Sequence, residues 1–172
     1  NYVLLGMLIE QVTGKPIATV LAERIFKPLG LTQTSWPTSS TMPNPYAHGF
    51  TMQTLDNKRA DATYRDPSWA FTAGALISNL ADLRTWIQSY ATGSLVSPAM
   101  QRERLTWVTF PPNTPVRHYG LGIGEDNGWL GHSGELPGYN TGAYYLPATK
   151  AVIVVMVNSD IPAGKSNPMP VV

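Results

Sequence analysis

The sequence predicts an α+β fold in which helices pack on an antiparallel sheet. Two observations carry that expectation. Before Pro111-Pro112 the apolar residues recur at helical spacing in separate stretches; after it the period shortens to that of strands divided by tight turns. A third observation concerns domain number: no fixed-period repeat and no linker-like run divides the 172 residues. One domain, or part of one, is expected over 1–172.

Tyr2, Leu5, Leu8, Ile9 and Val12 mark an opening helix that Gly14 and Pro16 stop. The chain begins inside this helix with no cap before it, so an N-terminal portion is expected to be missing. A second helix runs from Pro16 to about Phe26 on Ile17, Val20, Leu21 and Ile25, and Lys27 to Leu31 ends it. From Thr32 to Arg65, prolines, serines and threonines predict mostly loop with short strands. Ser78 or Asn79 caps a helix carrying Leu80, Leu83, Ile87 and Tyr90, ended by Gly93. Ser97-Pro98 opens a short helix reaching about Leu105. Four strands follow: Tyr119 to Gly124, Trp129 to Ser133, Tyr139 to Pro147 and Ala151 to Asn158. Asp126-Asn127-Gly128, Pro137-Gly138 and Ala148-Thr149-Lys150 separate them. The last strand lacks polar alternation and is expected to be buried on both faces. Pro168 to Val172 reads as the first turn of a further helix, so the fold is expected to be incomplete at both ends.

Composition excludes several classes. Charged residues are 13%, about half the usual share, and the formal net charge of +1 gives no broad basic field for nucleic acid. The longest aliphatic run, Ala151 to Val157, falls far short of the ~20 residues that span a bilayer. Asn1 to Leu8 has no basic n-region and no cleavage site, so it is not a signal peptide. The absence of cysteine removes disulfides and thiolate chemistry. His48, His118 and His132 make no metal spacing, and no cofactor is expected. Gly120-Leu121-Gly122-Ile123-Gly124 lacks the following helix that a dinucleotide site needs. Ser133 fails as an elbow nucleophile because Glu135 stands where the second Gly belongs. Glu125, Asp126 and Glu135 could be imagined as a glycosidase pair, but the first two read as solvated turn residues.

One segment survives these tests: Gly131-His132-Ser133-Gly134-Glu135-Leu136-Pro137-Gly138-Tyr139, flanked by Tyr119 to Ile123, Tyr144 to Pro147 and Val155 to Asn158. Upstream stand Asn1 to Glu10 with Thr13-Gly14, Ile25 to Leu31, and Ser68 to Ala70 with Ala73 to Ser78 and Asp82-Leu83. In this order, over nearly the whole chain, they resemble the C-terminal half of the serine β-lactamase and penicillin-recognising DD-peptidase superfamily. The likeness is strongest to class C β-lactamases and the D-alanyl-D-alanine carboxypeptidases and esterases grouped with them.

The resemblance implies that His132-Ser133-Gly134 is the third catalytic box, Lys-Thr-Gly in many members and His-x-Gly in some. Such a strand pairs its backbone with an extended substrate. Its first two side chains hold a carboxylate and relay protons, and its Gly lets the acylated substrate come close. The next backbone N–H, that of Glu135, would be an oxyanion donor, typically worth ~3 kcal/mol in the transition state. A neutral His132 would leave carboxylate binding more to Ser133, and the Glu135 carboxylate would repel an anionic substrate unless it points away. Trp69 matches a cleft-lining aromatic of some DD-peptidases, or is a core residue beneath its helix. The resemblance further implies a peptide, β-lactam or ester substrate and a periplasmic, cell-envelope or secreted location.

Family catalysis uses Ser-x-x-Lys and Tyr-x-Asn, and neither occurs in the sequence. The chain is therefore expected to be the C-terminal part of a serine hydrolase, inactive alone, with the missing N-terminal part as its partner. The alternative is a non-catalytic binding or scaffold relative, and a third is an unrelated α+β domain.

Overall fold

The computed structural model describes residues 1–109 and 118–162; the Pro111-Pro112 break and the turn from Pro168 to Val172 lie outside these residues. Helix α1 is Tyr2–Thr13, closed by Gly14, whose left-handed backbone returns its N–H to the Glu10 carbonyl. Helix α2, Ile17–Leu21, does not end near Phe26. A π-helical turn, Ala22–Phe26, and a last turn α3, Lys27–Leu29, carry it on. The wider turn is what admits Pro28. Lys27 donates five residues back to Ala22, which loosens the packing that a proline ring would otherwise meet. Gly30 and Leu31 then donate to the Lys27 and Phe26 carbonyls and end the helix.

The irregular stretch that follows contains only a short antiparallel pair, β1 (Phe50–Thr51) and β2 (Ala60–Asp61). Beside it, Asp61 accepts from Thr63 through both hydroxyl and backbone N–H, and its Oδ2 lies 2.7 Å from His48 Nδ1. The Thr63 hydroxyl, then its N–H, then His48 hold the Asp61 carboxyl down at about 2, below the ordinary 3.8. Because the folded value is the lower one, this stabilisation is complete above about pH 4 and disappears as pH falls through about 2. We expect protease nicking between residues 46 and 64 to rise over that acid range in the parent and to be already high at neutral pH in Asp61→Ala. An acid-resistant protease at matched activity provides the measurement.

Pro67–Ala73 is a 3-10 segment, interrupted at Phe71 by a positive φ of 42°. Helix α4, Leu80–Thr92, is capped by the Asn79 side chain, which accepts from the Asp82 N–H at 2.9 Å. Asp82 itself is buried and accepts from the Gln33 N–H and the Thr34 hydroxyl, fixing the chain after α3 to α4. Ser97 caps α5, Pro98–Arg104, by accepting from Met100.

The main sheet is antiparallel in sequence order: β3 (Val108–Thr109), β4 (His118–Tyr119), β5 (Gly124–Asp126), β6 (Trp129–Leu136), β7 (Tyr139–Leu146) and β8 (Ala151–Val157). The stretch expected as one strand from Tyr119 to Gly124 is instead a hairpin: Gly120 donates to Ile123, and Gly122 turns the chain with φ 76°. Glu125 and Asp126 belong to β5 and not to the turn after it; Glu125 accepts from Gly128 and lies 2.5 Å from His118. Ile87 and Ala91 of α4 pack on Ile123, Leu130, Ala143 and Tyr145, which is the core. β8 departs from its expected double burial, since nearly all its residues are half-buried and Met156 is exposed.

The opening helix stands where the sequence places it, with its apolar side chains largely exposed. Gly6 is its one buried residue, seated against Thr72 and Phe71, while Leu4, Leu5, Met7, Leu8 and Val12 are each more than half exposed. Among the described residues no single helix is long and apolar enough to cross a membrane.

Candidate active site

β6 holds His132, Ser133, Gly134 and Glu135, and its register on β7 sorts them by face. Gly131, Ser133 and Glu135 pair with Tyr144, Gly142 and Asn140; Leu130, His132 and Gly134 pair with Tyr145, Ala143 and Thr141 on the face that α4 covers at one end. On its other edge β6 pairs with β5 only through Trp129, Leu130 and Gly131. From His132 to Leu136 that edge has no strand beside it among the described residues. An extended molecule can therefore add to it by backbone hydrogen bonds.

The two glycines of this strand differ in what they face. A Cβ built on Gly131 would lie 2.2 Å from the Ala143 carbonyl oxygen, so close approach of β7 requires glycine. A Cβ on Gly134 would meet nothing within 4 Å among the described residues. Nothing in the fold explains glycine there.

His132 is exposed, yet both ring nitrogens are engaged within the chain. Nδ1 faces the Ser133 carbonyl oxygen, and Nε2 lies 2.7 Å from the Tyr119 hydroxyl. The Tyr119 hydroxyl lies in turn 2.6 Å from that of Tyr2, at the start of α1. Burial, reinforced by Tyr2, pushes the Tyr119 phenol above its ordinary range and keeps it a hydroxyl. Ser133 is half-buried and meets Tyr144, whose phenol burial raises and the Ser133 hydroxyl pulls back down. Glu135 is exposed on the same face of the strand as Ser133.

Trp69 lies on the 3-10 segment and is 66% exposed in this structure. No hydrogen bond or ring contact among the described residues joins it to His132–Glu135, so the structure does not bring it into this group. Conversely, Tyr2 and Tyr119 reach the site although the sequence marked them only as a helix-face residue and a flanking residue. Their 117-residue separation leaves no local signal. Among the described residues no group of three or more His, Cys, Asp or Glu side chains is placed to hold a metal. The arrangement offers an open strand edge, a hydroxyl, an anion and a histidine whose nitrogens are already occupied.

The family model described as Beta-lactamase matches residues 1–170. The chain belongs to the Beta-lactamase family. Within it, the chain is similar to a protein of Bacillus subtilis (strain 168) provisionally described as penicillin-binding protein PbpX, 25% identical over 159 residues. That match covers 92% of this chain and 38% of the relative. Among solved structures, a D-stereospecific amidohydrolase from Streptomyces sp. superposes with a TM-score of 0.85 at 32% identity, over 92% of this chain and 48% of that one. A D-amino acid amidase from Ochrobactrum anthropi SV3, complexed with L-phenylalanine amide, gives 0.79 at 26%, over 96% and 50%. This Beta-lactamase-family chain thus spans about half the length of the solved relatives it matches. The α+β architecture expected from the sequence is that of its family.

Proposed function

We propose that this chain supplies the substrate strand of a serine hydrolase that works through an acyl-enzyme, with D-amino-acid amides and their esters as the substrate class. The observation that carries the choice is the occupied imidazole of His132, which offers no free nitrogen to a substrate carboxylate. The exposed Glu135 carboxylate favours the same class, because it opposes an anion and attracts the free ammonium of an amino-acid amide. Penicillins and D-alanyl-D-alanine peptides carry a carboxylate beyond the scissile bond; amino-acid amides do not. Similarity to an amidohydrolase and an amidase supports this reading.

On this proposal a serine outside the 172 residues forms the acyl–oxygen bond as the acyl–nitrogen bond breaks. The amide nitrogen takes up the serine proton and leaves as ammonia, and water then releases the acid and returns a proton to the serine oxygen. The strand from Ser133 to Glu135 aligns the acyl part, and the Glu135 N–H contributes to the oxyanion site.

A substrate panel on the intact protein tests this. We expect kcat/KM for D-phenylalanine amide to exceed that for penicillin or a D-alanyl-D-alanine peptide at least about tenfold, a difference of ~1.4 kcal/mol in transition-state binding. Preference for the carboxylate-bearing substrates would overturn the choice of class. The 172-residue chain alone is expected to form no covalent adduct with labelled penicillin, and stoichiometric labelling would refute that.

A further inference from the structure

We infer that Tyr119, backed by Tyr2, is the positioning residue for His132, holding the imidazole proton on Nδ1 and the ring's basic lone pair on the Tyr119 hydroxyl. For a neutral imidazole the geometry allows one assignment. A carbonyl oxygen only accepts, so Nδ1, which faces the Ser133 carbonyl, is the donor. A neutral imidazole then has its lone pair at Nε2, and the Tyr119 O–H, 2.7 Å away, donates to it. Having spent its proton there, the Tyr119 oxygen accepts from the Tyr2 O–H at 2.6 Å. One carbonyl thus orients three side chains from three separate elements.

Packing keeps them aligned. The Tyr119 ring stands nearly perpendicular to the imidazole, 77° at 5.6 Å between centroids. Tyr2 rests over the Gly122 turn, where an added Cβ would lie 3.7 Å from its hydroxyl, and the Thr72 hydroxyl donates to the Tyr2 carbonyl. Helix α1 is therefore tied to the box strand through the β4–β5 hairpin. When Nε2 takes up a proton, the same hydroxyls rotate and pass their donors the other way, toward Tyr2. His132 acts here as the end of a hydroxyl chain and not as an isolated cation.

The catalytic consequence rests on the hydrolase reading above, but the hold on the tautomer does not. The test is nitrogen-15 NMR of histidine in the intact protein, with the His132 signals assigned by their loss in His132→Gln. We expect a pyrrole-like Nδ1 and a pyridine-like Nε2 in the parent, and a change toward the Nε2–H form in Tyr119→Phe. Tyr2→Phe should fall between them. With D-phenylalanine amide, Tyr119→Phe should lower kcat about tenfold at a KM changed less than about twofold. A parent with its proton on Nε2, or a Tyr119→Phe spectrum like the parent's, overturns the inference. Absence of amide turnover in the parent would count against the hydrolase reading, and the tautomer spectrum would still decide this one.

Discussion

Replacing Gly134 by valine is expected to leave the stability of the fold within about 0.5 kcal/mol of the parent and to lower turnover of the intact protein about a hundredfold. The first half follows from the space around this position, where an added Cβ lies within 4 Å of no atom of the described residues. A β-branched residue is also a good strand former. The second half follows from the position itself: on the same face as His132, on a stretch of β6 whose outer edge has no strand beside it among the described residues. The valine methyls would stand where the acyl part of an edge-bound substrate has to lie, and small displacements from the reactive geometry are expensive. Thermal melting and kcat/KM for D-phenylalanine amide, taken on the same preparation, measure both halves. An unchanged kcat/KM would mean that the acyl group does not lie along this strand.

Gly131→Val should do the reverse to the fold. Its Cβ would fall 2.2 Å from the Ala143 carbonyl oxygen and 2.9 Å from the Tyr144 Cα, both backbone atoms of the neighbouring strand β7. Neither can swing aside as a side-chain tip can, so β6 would have to separate from β7 at its middle. Overpacking of this kind costs about 3 kcal/mol or more, which for a chain of this length lowers the melting midpoint by roughly 6–12 °C. Urea denaturation of the two variants side by side checks the contrast. Equal midpoints would show that the β6–β7 spacing is more yielding than these distances indicate.

What could be read in the sequence was what local chemistry decides. Asn79 and Ser97 cap helices because a short polar side chain reaches the N–H groups of its own first turn, a relation confined to neighbouring residues. Asn127-Gly128 and Pro137-Gly138 are turns for a similar reason, since Asn127 (φ 48°), Gly128 and Gly138 adopt the positive φ that such turns need. The misreadings arose where two local signals competed. Leu121 and Ile123 alternate as in a strand, but Gly122 between them reverses the chain, and Ile123 enters the core from the far side of the turn. Pro28 signals a helix end, but the π turn before it makes room. The Gly131–Tyr139 stretch was legible as a motif. The engagement of the His132 nitrogens was not, because Nε2 meets Tyr119 from a hairpin that the strand pattern concealed, and Tyr119 is backed in turn by Tyr2 of the first helix.

The bare edge of β6 has a further consequence, for self-assembly. Backbone groups that welcome a small extended molecule welcome another polypeptide equally well, and such edges are where fibrils begin. Glu135 is exposed in this stretch, so a second copy docking there would bring its own carboxylate toward the first. Like charges along a shared edge oppose pairing. On the proposed function, the residue that opposes anionic substrates would thus also oppose the stacking of identical chains on this edge.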